Sequence, residues 1–415
     1  MERTRLAHMG KRDEFKAFNP TPGVWMIPSF GNTGVLETSV GLVLIDVSLP
    51  IRMGKTMSML RSVLDAPINT VFFTHGHVDH AVALEQIYNE AENKGHPYPR
   101  TVAQRNVVRR FNRYRMLEDY HSLINRIQFA AAPGLANFPL PKRNPDVTFD
   151  KSISMQIGGI LVEAYHSRGE TDDHLWVWVP EKKTVFTGDM IVSGFPNVGN
   201  PFKVQRFTLE WAEGLEAIAG KEPELLVPGH GDIVEGKDAV QEICLTTAKA
   251  LRYLHEEVVK RLNDGMWYED ILHDVKFPDW LTEPAYLKPV YGRPEFVLHG
   301  ILREYTGWYD GNPSNLFPPK RVEVNKELVA LMGKDKLAAH ARLLQQEEKE
   351  DVALQFVDMA LSAELSPDEE KDLRKLKAEL LKAVGEKDPS LISRNIYFNG
   401  YKSEMKLAGL EDEIE

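Results

Sequence analysis

Short apolar runs bounded by Gly, Pro and Asn recur through the first 240 residues of the chain. Gly23–Ile27 and Gly41–Asp46 are examples, and such β-branched or apolar runs are typical of strands in a sheet with one buried face. Other segments lack helix breakers and predict helices at 52–64, 81–92 and 209–219. Further strands are predicted at 69–74, 101–103, 152–156, 160–165, 174–179, 184–187 and 225–227. This order predicts an α/β fold, an αββα sandwich with helices on both outer faces.

The pattern changes near residue 240, where the strand signals stop and helical periodicity begins. A long helix is predicted at 239–264 and a shorter one at 268–275, followed by an aromatic segment at 286–317 that predicts a hairpin. Apolar positions in residues 323–385 have the spacing of antiparallel helix pairs. We therefore predict a sandwich domain at 1–240 and an all-α domain at 241–415.

Composition narrows the class of protein. A length of 415 residues predicts two or three domains with ample buried core, and the single cysteine, Cys244, excludes an intramolecular disulfide. The formal net charge of -11 disfavours a nucleic-acid partner, since neutralising phosphates requires a basic surface. Residues 1–18 are charged, and no apolar run is long enough to cross a bilayer. We expect a cytoplasmic enzyme without a membrane partner.

Four potential metal ligands follow the strand predicted at 69–74, namely His75, His77, Asp79 and His80. On a tight loop, both His75 and His77 can reach one ion, while Asp79 and His80 turn toward a second ion at the start of the next helix. A solvated loop is the alternative interpretation, and it would suffice for an isolated histidine pair. Four ligands at this spacing after a buried strand favour a two-metal site.

The run from His75 to His80 resembles the H-x-H-x-D-H signature of the metallo-β-lactamase superfamily, whose dinuclear site takes three further ligands from downstream loops. The resemblance implies that the third ligand follows a Gly, that an acidic residue bridges the ions at a strand end, and that a histidine in a Pro-Gly-His turn completes the set. It thus implies two divalent ions, for which we expect zinc, held by His75, His77, Asp79, His80, Glu170, Asp189 and His230.

Position 170 departs from most of the superfamily, which has a histidine there. Glutamate at this position is usual in the alkyl sulfatase branch, but that branch commonly also has Glu at the bridging position, where this chain has Asp189. His174 is the competing ligand. It begins the strand predicted at 174–179 and could instead orient a ligand through a hydrogen bond.

Two segments are candidates for substrate contact. The insertion at 104–138 is rich in arginine, which predicts a solvated, salt-bridged helix, but its Tyr114 and Asn125 resemble residues near the corresponding pocket of the family. The polar loop at 190–206 leaves the strand that ends in Asp189, so we expect it to cross the metals and to contribute Asn200 and Arg206. Arg206 is the predicted anion anchor, because a guanidinium pairs with two oxygens of a sulfate or carboxylate. The alternative is a surface pair with Glu210.

The run Gly307–Pro313 resembles the alkyl sulfatase dimerisation region and identifies the branch within the superfamily. It implies a homodimer in which Trp308 and Tyr309 lie at the interface, since aromatic side chains supply much of the energy of buried interfaces. The alternative is that these rings seal the two domains of one chain against each other.

Together these resemblances imply a metal-dependent hydrolase of sulfate esters. Two ions sharing Asp189 would lower the pKa of a shared water, so Asp79 and Asp189 are catalytic candidates. Three carboxylates and a hydroxide balance the charge of two divalent ions, so an anionic substrate would need Arg206 as well. Lactones, carboxylic esters and phosphoesters are alternative substrates for the same metals. A redox di-iron centre is disfavoured by His77, since that branch usually has Glu there, and a scaffold would not need all seven ligands.

Overall fold

Two mixed β-sheets form the first half of the chain in a computed structural model that describes residues 16–130 and 138–414. The first sheet runs in sequence order through β1 (Phe18–Thr21), β2 (Val24–Ile27), β3 (Thr33–Thr38), β4 (Gly41–Ile45), β5 (Ile68–Phe72), β6 (Arg100–Gln104) and β7 (Val147–Phe149). The second, in the order β13 to β8, contains β8 (Ser152–Ile157), β9 (Ile160–His166), β10 (Leu175–Val179), β11 (Thr184–Gly188), β12 (Leu225–Pro228) and β13 (Val234–Glu235). The predicted strands are present. Four strands, β1, β3, β7 and β13, were not predicted.

Helices cover the outer faces of both sheets. Five helices lie in the chain between strands of the first sheet, namely α1 (Pro50–Arg61), α2 (Val78–Ala81), α3 (Glu85–Lys94), α4 (Asn106–Met116) and α5 (Glu118–Phe129). Beside the second sheet are α6 (Thr208–Gly220), α7 (Lys237–Asn263), α8 (Tyr268–Asp274) and α9 (Pro294–Tyr305). The rest of the chain is helical, with α10 (Arg321–Met332), α11 (Lys334–Gln346), α12 (Glu350–Ala360), α13 (Pro367–Lys387) and α14 (Leu391–Leu407). The α/β sandwich followed by a helical region is confirmed.

Side-chain alternation explains why the strands are continuous apolar runs. Along β4, Val43 and Ile45 enter the core between the sheets, whereas Leu42 and Leu44 pack with the helices outside the first sheet. Along β10, Val177 enters the same central core, and the neighbouring tryptophans pack against α6 and α7. Burial on one face was therefore the wrong expectation. Both sheets are covered on both faces, and each such strand serves two cores.

The helix predicted at 81–92 is divided into α2 and α3. The division follows from a tertiary hydrogen bond, because the carbonyl of His80 accepts from Val47 N at 2.9 Å. In a continuous helix that carbonyl would accept from Leu84 N, which instead bonds to Val82 O at 3.0 Å. The hydrogen bond from Val47, just after β4, therefore ends α2 after one turn and holds the His loop against the first sheet.

The described residues form two compact units, 16–121 with 138–307, and 122–130 with 308–414. Residues 241–307 pack inside the first unit, since Leu251 and Val297 share a core with Trp211, so this division lies further along the chain than residue 240. The predicted assignment of 1–240 to catalysis and 241–415 to dimerisation stays a prediction. Cys244 is buried in the same core, as expected for a small apolar side chain.

The second unit is built from α10–α14, which pack through leucines and alanines such as Leu344, Leu376 and Leu380. Its helix α13 begins with a capping box, in which Ser366 and Glu369 exchange hydrogen bonds between side chain and backbone. Among the described residues, no helix has both the length and the apolar character needed to cross a bilayer.

The aromatic hairpin predicted within 286–317 is instead the helix α9. Pro294 starts this helix at a position where no backbone N–H is needed, and Val297, Leu298, Ile301 and Leu302 give it a buried face. Local turn residues suggested a hairpin, but this apolar periodicity decides the structure.

Candidate metal centre

The His loop at 74–80 follows β5 and is fixed by a buried carboxylate at the end of β4. Asp46 accepts hydrogen bonds from Thr74 N and Thr74 Oγ1, both at 2.6 Å, and its Oδ2 lies 2.8 Å from His80 Nδ1. Asp46 adopts a left-handed backbone conformation with φ 66°, which turns the chain and aims this side chain at the loop. Asp46 was not predicted from the sequence. The available signal was an acidic residue at the carboxyl end of a strand next to β5.

One cluster of ligand atoms contains His75, His77, Glu170 and Asp189, all within 4.8 Å of one another. His75 Nε2 lies 3.7 Å from Glu170 Oε2 and 3.8 Å from Asp189 Oδ2, and His77 Nδ1 lies 3.9 Å from the same glutamate oxygen. His75 is fully buried and the two carboxylates nearly so. Two imidazoles and two carboxylates around one point are a donor set suited to a divalent cation.

A second cluster contains Asp79, His80 and His230. Asp79 Oδ2 lies 3.4 Å from the Nε2 atoms of both histidines. Asp189 Oδ1 is 3.3 Å from His80 Nε2 and 3.4 Å from His230 Nε2. The two oxygens of Asp189 therefore face different clusters, which is the geometry of a bridging carboxylate.

The tautomers of His80 and His230 test whether metal ions fit this centre. His80 Nδ1 lies against Asp46, and His230 Nδ1 lies 2.5 Å from Phe30 O, so each Nδ1 donates to an acceptor. In the neutral rings both Nε2 atoms then carry lone pairs, and they face each other at 3.3 Å. Two lone pairs at this distance repel unless positive charge lies beside them. The donor set fits a cation bound through both Nε2 atoms.

The electrostatics of the centre agree with this conclusion. Burial opposes a positive charge on His230, but Asp189 and Asp79 outweigh it and raise the pKa of His230 to about 10. Burial also raises the pKa of Glu170 to about 8, against the opposing effect of Arg206. The three carboxylates thus favour added positive charge, and cations at the two clusters would keep Glu170 ionised.

The ligands come from both sheets, and a polar side chain ties those sheets together at the centre. The His loop leaves the first sheet, whereas Asp189 and His230 follow β11 and β12 of the second. Asn32, in the loop directly before β3 of the first sheet, donates from its backbone to Gly229 O at 2.8 Å and from its side chain to Pro228 O and Gly231 O. The turn that contains His230 is therefore fixed to the opposite sheet.

The insertion contributes support to the His loop through a buried arginine. Asp173 accepts from Gly76 N at 2.8 Å and from Arg110 Nε at 2.7 Å, while Arg110 also pairs with Asp172. Arg110 is 3% exposed, so the expectation of solvated arginines is wrong at this position. Tyr114 is buried among Phe111, Phe138 and other core side chains, and its contact with the pocket stays a prediction. Asn125 lies in the second compact unit and is half-buried, and its role stays a prediction.

Side chains of the polar loop at 190–206 donate hydrogen bonds to Glu170. Arg206 is 2% exposed and donates to Glu170 Oε1 and, at 2.7 Å, to Asn197 O. Asn197 Nδ2 donates to the same glutamate oxygen at 3.2 Å, and Asn200 donates to Asn197 at 3.3 Å. The predicted alternative partner of Arg206, Glu210, pairs with Arg168. Arg206 and Asn200 therefore hold a candidate metal ligand, and direct contact with substrate stays a prediction for both.

Glu170 lies in the first cluster, and His174 lies outside both clusters. The His174 ring stacks on His75 with centroids 5.1 Å apart, and neither of its ring nitrogens has a hydrogen-bond partner among the described residues. Burial lowers the pKa of His174 to about 4, so the ring is neutral. These contacts support Glu170 as the ligand.

We expect Glu170→Gln to weaken metal binding at the first cluster, because an amide oxygen carries no charge and its NH2 group would face His75 or Arg206. His174→Ala should leave metal affinity within a few-fold of the original, since its ring only packs against His75. Metal titration of the two variants, followed by calorimetry, measures both affinities. The opposite ranking would assign the ligand role to His174.

Residues 26–230 match the metallo-beta-lactamase superfamily, and residues 268–406 match the alkyl sulfatase dimerisation family. A linear primary-alkylsulfatase from a Pseudomonas strain is 25% identical over 324 residues, which cover 72% of this chain and 60% of that protein. An (R)-specific secondary-alkylsulfatase from Pseudomonas is 25% identical over 406 residues, which cover 89% and 59%.

An alkyl/aryl-sulfatase of Saccharomyces cerevisiae is 20% identical over 76% of this chain. The solved structure of a stereoselective inverting sec-alkylsulfatase from Pseudomonas covers 95% of this chain with a TM-score of 0.82 at 21% identity. The fold is therefore shared with that structure. The chain spans 60% and 59% of the two Pseudomonas relatives described above.

Proposed function

The chain joins a metallo-beta-lactamase superfamily domain to an alkyl sulfatase dimerisation region, and from this premise we propose that it hydrolyses sulfate esters at a two-metal centre. The observation that carries the proposal is the position of Asp189, whose two oxygens face two separate ligand clusters. The sulfatase relatives support sulfate esters over the other substrates that such a centre can hydrolyse.

We propose two zinc ions as the metals, because histidine nitrogens and carboxylate oxygens provide all the ligands. When bound, they would act as Lewis acids toward the ester and lower the pKa of a water molecule. The protein supplies orientation. Asp46 holds His80 with Nε2 toward the centre, Phe30 O does the same for His230, and Arg206 fixes Glu170.

An anionic substrate also needs a cation close to both clusters, and Arg206 is directed at Glu170. Lys203 lies in the same loop and interacts electrostatically with Glu170 and Asp79, one residue from each cluster. Burial, and then repulsion by Arg206, lowers the pKa of Lys203 to about 7, so a bound sulfate group would stabilise its charged form. We propose that Lys203 contacts the sulfate and that Arg206 acts through Glu170.

The test is a panel of alkyl and aryl sulfates, phosphates, lactones and carboxylic esters assayed on metal-replete protein. We expect turnover of at least one sulfate ester, with sulfate released in proportion to alcohol. Asp79→Asn is the control for a contaminating hydrolase, since it alters a candidate ligand while preserving side-chain volume. Turnover confined to lactones, carboxylic esters or phosphates would reject the sulfatase proposal.

We propose that the protein is a homodimer through its helical region. The dimerisation match supports this, and so does exposed apolar surface, with Trp308 75% and Phe317 86% exposed in the chain.

Light scattering at micromolar concentration should give twice the chain mass of 47.1 kDa. Trp308→Ala together with Tyr309→Ala should shift the protein toward monomer, whereas Trp267→Ala, a partly exposed tryptophan outside the match, should not. A monomeric wild-type protein would reject the proposed dimer. A dimer that is unaffected by the double variant would show that the interface does not depend on Trp308 and Tyr309.

A further inference from the structure

The segment Phe195–Arg206, called the anchor loop here, lies between α9 and the metal centre. Its side chains Asn197 and Arg206 hold Oε1 of Glu170, and Lys203 belongs to the same loop. Apart from short turns, the anchor loop has no regular secondary structure of its own. Its conformation therefore depends on what packs against it.

The first contacts between this loop and its neighbours are made at backbone level. Phe195 N donates to Lys288 O at 3.0 Å, and a Cβ on Gly292 would lie 2.6 Å from the carbonyl oxygens of Phe195 and Pro196. Further along, Gly199 has a positive φ of 68°, and a Cβ there would lie only 1.5 Å from Phe296 O of α9. Such close approach is possible only because no side chain intervenes. The first half of the anchor loop, from Phe195 to Gly199, therefore packs by its backbone against α9 and the residues before it.

The second set of contacts is polar and lies at the end of α9. Arg303 donates from Nε to Gln205 Oε1 at 2.9 Å and from Nη1 to Lys203 O at 3.2 Å. Gln205 Nε2 in turn donates to Gly300 O at 2.9 Å and to Arg206 O at 2.6 Å. One arginine of α9 and one glutamine of the loop therefore fix the backbone carbonyls of both Lys203 and Arg206.

We propose that α9, which lies inside the dimerisation match at 268–406, is the element that positions the anchor loop for substrate, and that Arg303 is a positioning residue for anion binding. The inference rests on the proposed function for its substrate. A role in association alone would not require α9 to hydrogen-bond to Lys203 and Gln205, nor to lie against the backbone of Gly199. Arg303 is itself exposed, so its effect on the centre would pass through the loop carbonyls.

The test compares Arg303→Ala with Arg303→Lys and with Arg252→Ala, all as full-length, metal-replete protein. Arg252 is the matched control, because it also forms a two-bond pair, with Glu216, but on α7 and away from the anchor loop. For Arg303→Ala we expect faster amide hydrogen exchange at residues 198–206, and KM higher by about tenfold, the change expected for loss of a charge-assisted hydrogen bond. Values of kcat and metal content should stay within about twofold, and Arg303→Lys should recover part of the KM.

Unchanged exchange in residues 198–206 of Arg303→Ala would overturn the inference. So would a shift in KM that Arg252→Ala reproduces, or one that follows loss of metal. Hydrogen exchange needs no substrate, and it therefore decides the positioning role even if the substrate panel finds no sulfate ester turned over. If the panel finds no turnover of any sulfate ester, the proposed function is rejected, and the hydrogen-exchange result still decides the role of α9.

Discussion

Asp189→Ala is expected to remove both metal ions from the protein, whereas Asp79→Ala should remove only one. Asp189 places one oxygen beside each cluster, while Asp79 lies near His80 and His230 alone. Without its bridge, each cluster also loses a counter-charge for its cation. Two-metal activation contributes several kcal/mol to catalysis, and each ~1.4 kcal/mol is a factor of ten, so turnover should fall by about 10³-fold or more in both variants.

Metal content per chain, measured by elemental analysis after gel filtration, distinguishes the two variants. Asp264→Ala is the control, because this aspartate is exposed in the turn after α7 and lies far along the chain from every ligand. It should retain two ions and the original rate. Two ions in Asp189→Ala would contradict the bridging geometry, and equal loss in both aspartate variants would contradict the separation into two clusters.

Gly229→Ala should also damage the centre, although it removes no ligand. A Cβ at this position would lie 2.1 Å from Asp189 Oδ1 and 2.7 Å from the carbonyl carbon of Gly188. Gly229 also receives a hydrogen bond from Asn32 and donates one to Gly188 O, so the turn cannot move away freely. Either the Asp189 carboxylate or the turn that contains His230 must shift. We expect weaker binding at the second cluster and a fall in turnover of about 10²-fold, as for misplacement of a catalytic group by about 1 Å.

Gly220→Ala is the matched control for this change. It introduces the same methyl group at the end of α6, where a Cβ would meet nothing within 4 Å. Its effect on stability should be neutral or slightly favourable, since alanine is the better helix former. Thermal unfolding, metal titration and turnover of the two variants give the comparison. Normal metal affinity and turnover in Gly229→Ala would mean that the Asp189 turn tolerates displacement.

The sequence was sufficient to predict the features that depend on local pattern. Apolar runs located the strands that carry the centre, because each strand fills two cores and leaves few polar positions. The His loop could be predicted from spacing alone, since His75 and His80 are near each other whatever the rest of the chain does. The resemblance to a family supplied Glu170, Asp189 and His230, which are distant in sequence and which spacing could not have joined.

Interactions between distant segments escaped prediction. Asp46 precedes His80 by a whole helix and strand, and only the parallel pairing of β4 with β5 brings the two together. The break between α2 and α3 arises from Val47 N bonding to His80 O, which no helix propensity encodes. Arg206 was expected to face substrate because its guanidinium suits anions. Its partner is Glu170, an anion from the protein itself.

The joining of the two sheets by Asn32 and by the ligand clusters has a consequence for the life of the protein in a cell. A ligand that binds only the native state raises the free energy of unfolding, by about 2.7 kcal/mol at a hundred times its dissociation constant. Ions shared between the sheets would act in this way, because unfolding separates His80 from His230 and Asp189. The abundance of the protein would then follow the supply of metal. In a metal-starved cell, more chains would unfold and reach proteases, so that scarcity would lower enzyme level as well as turnover.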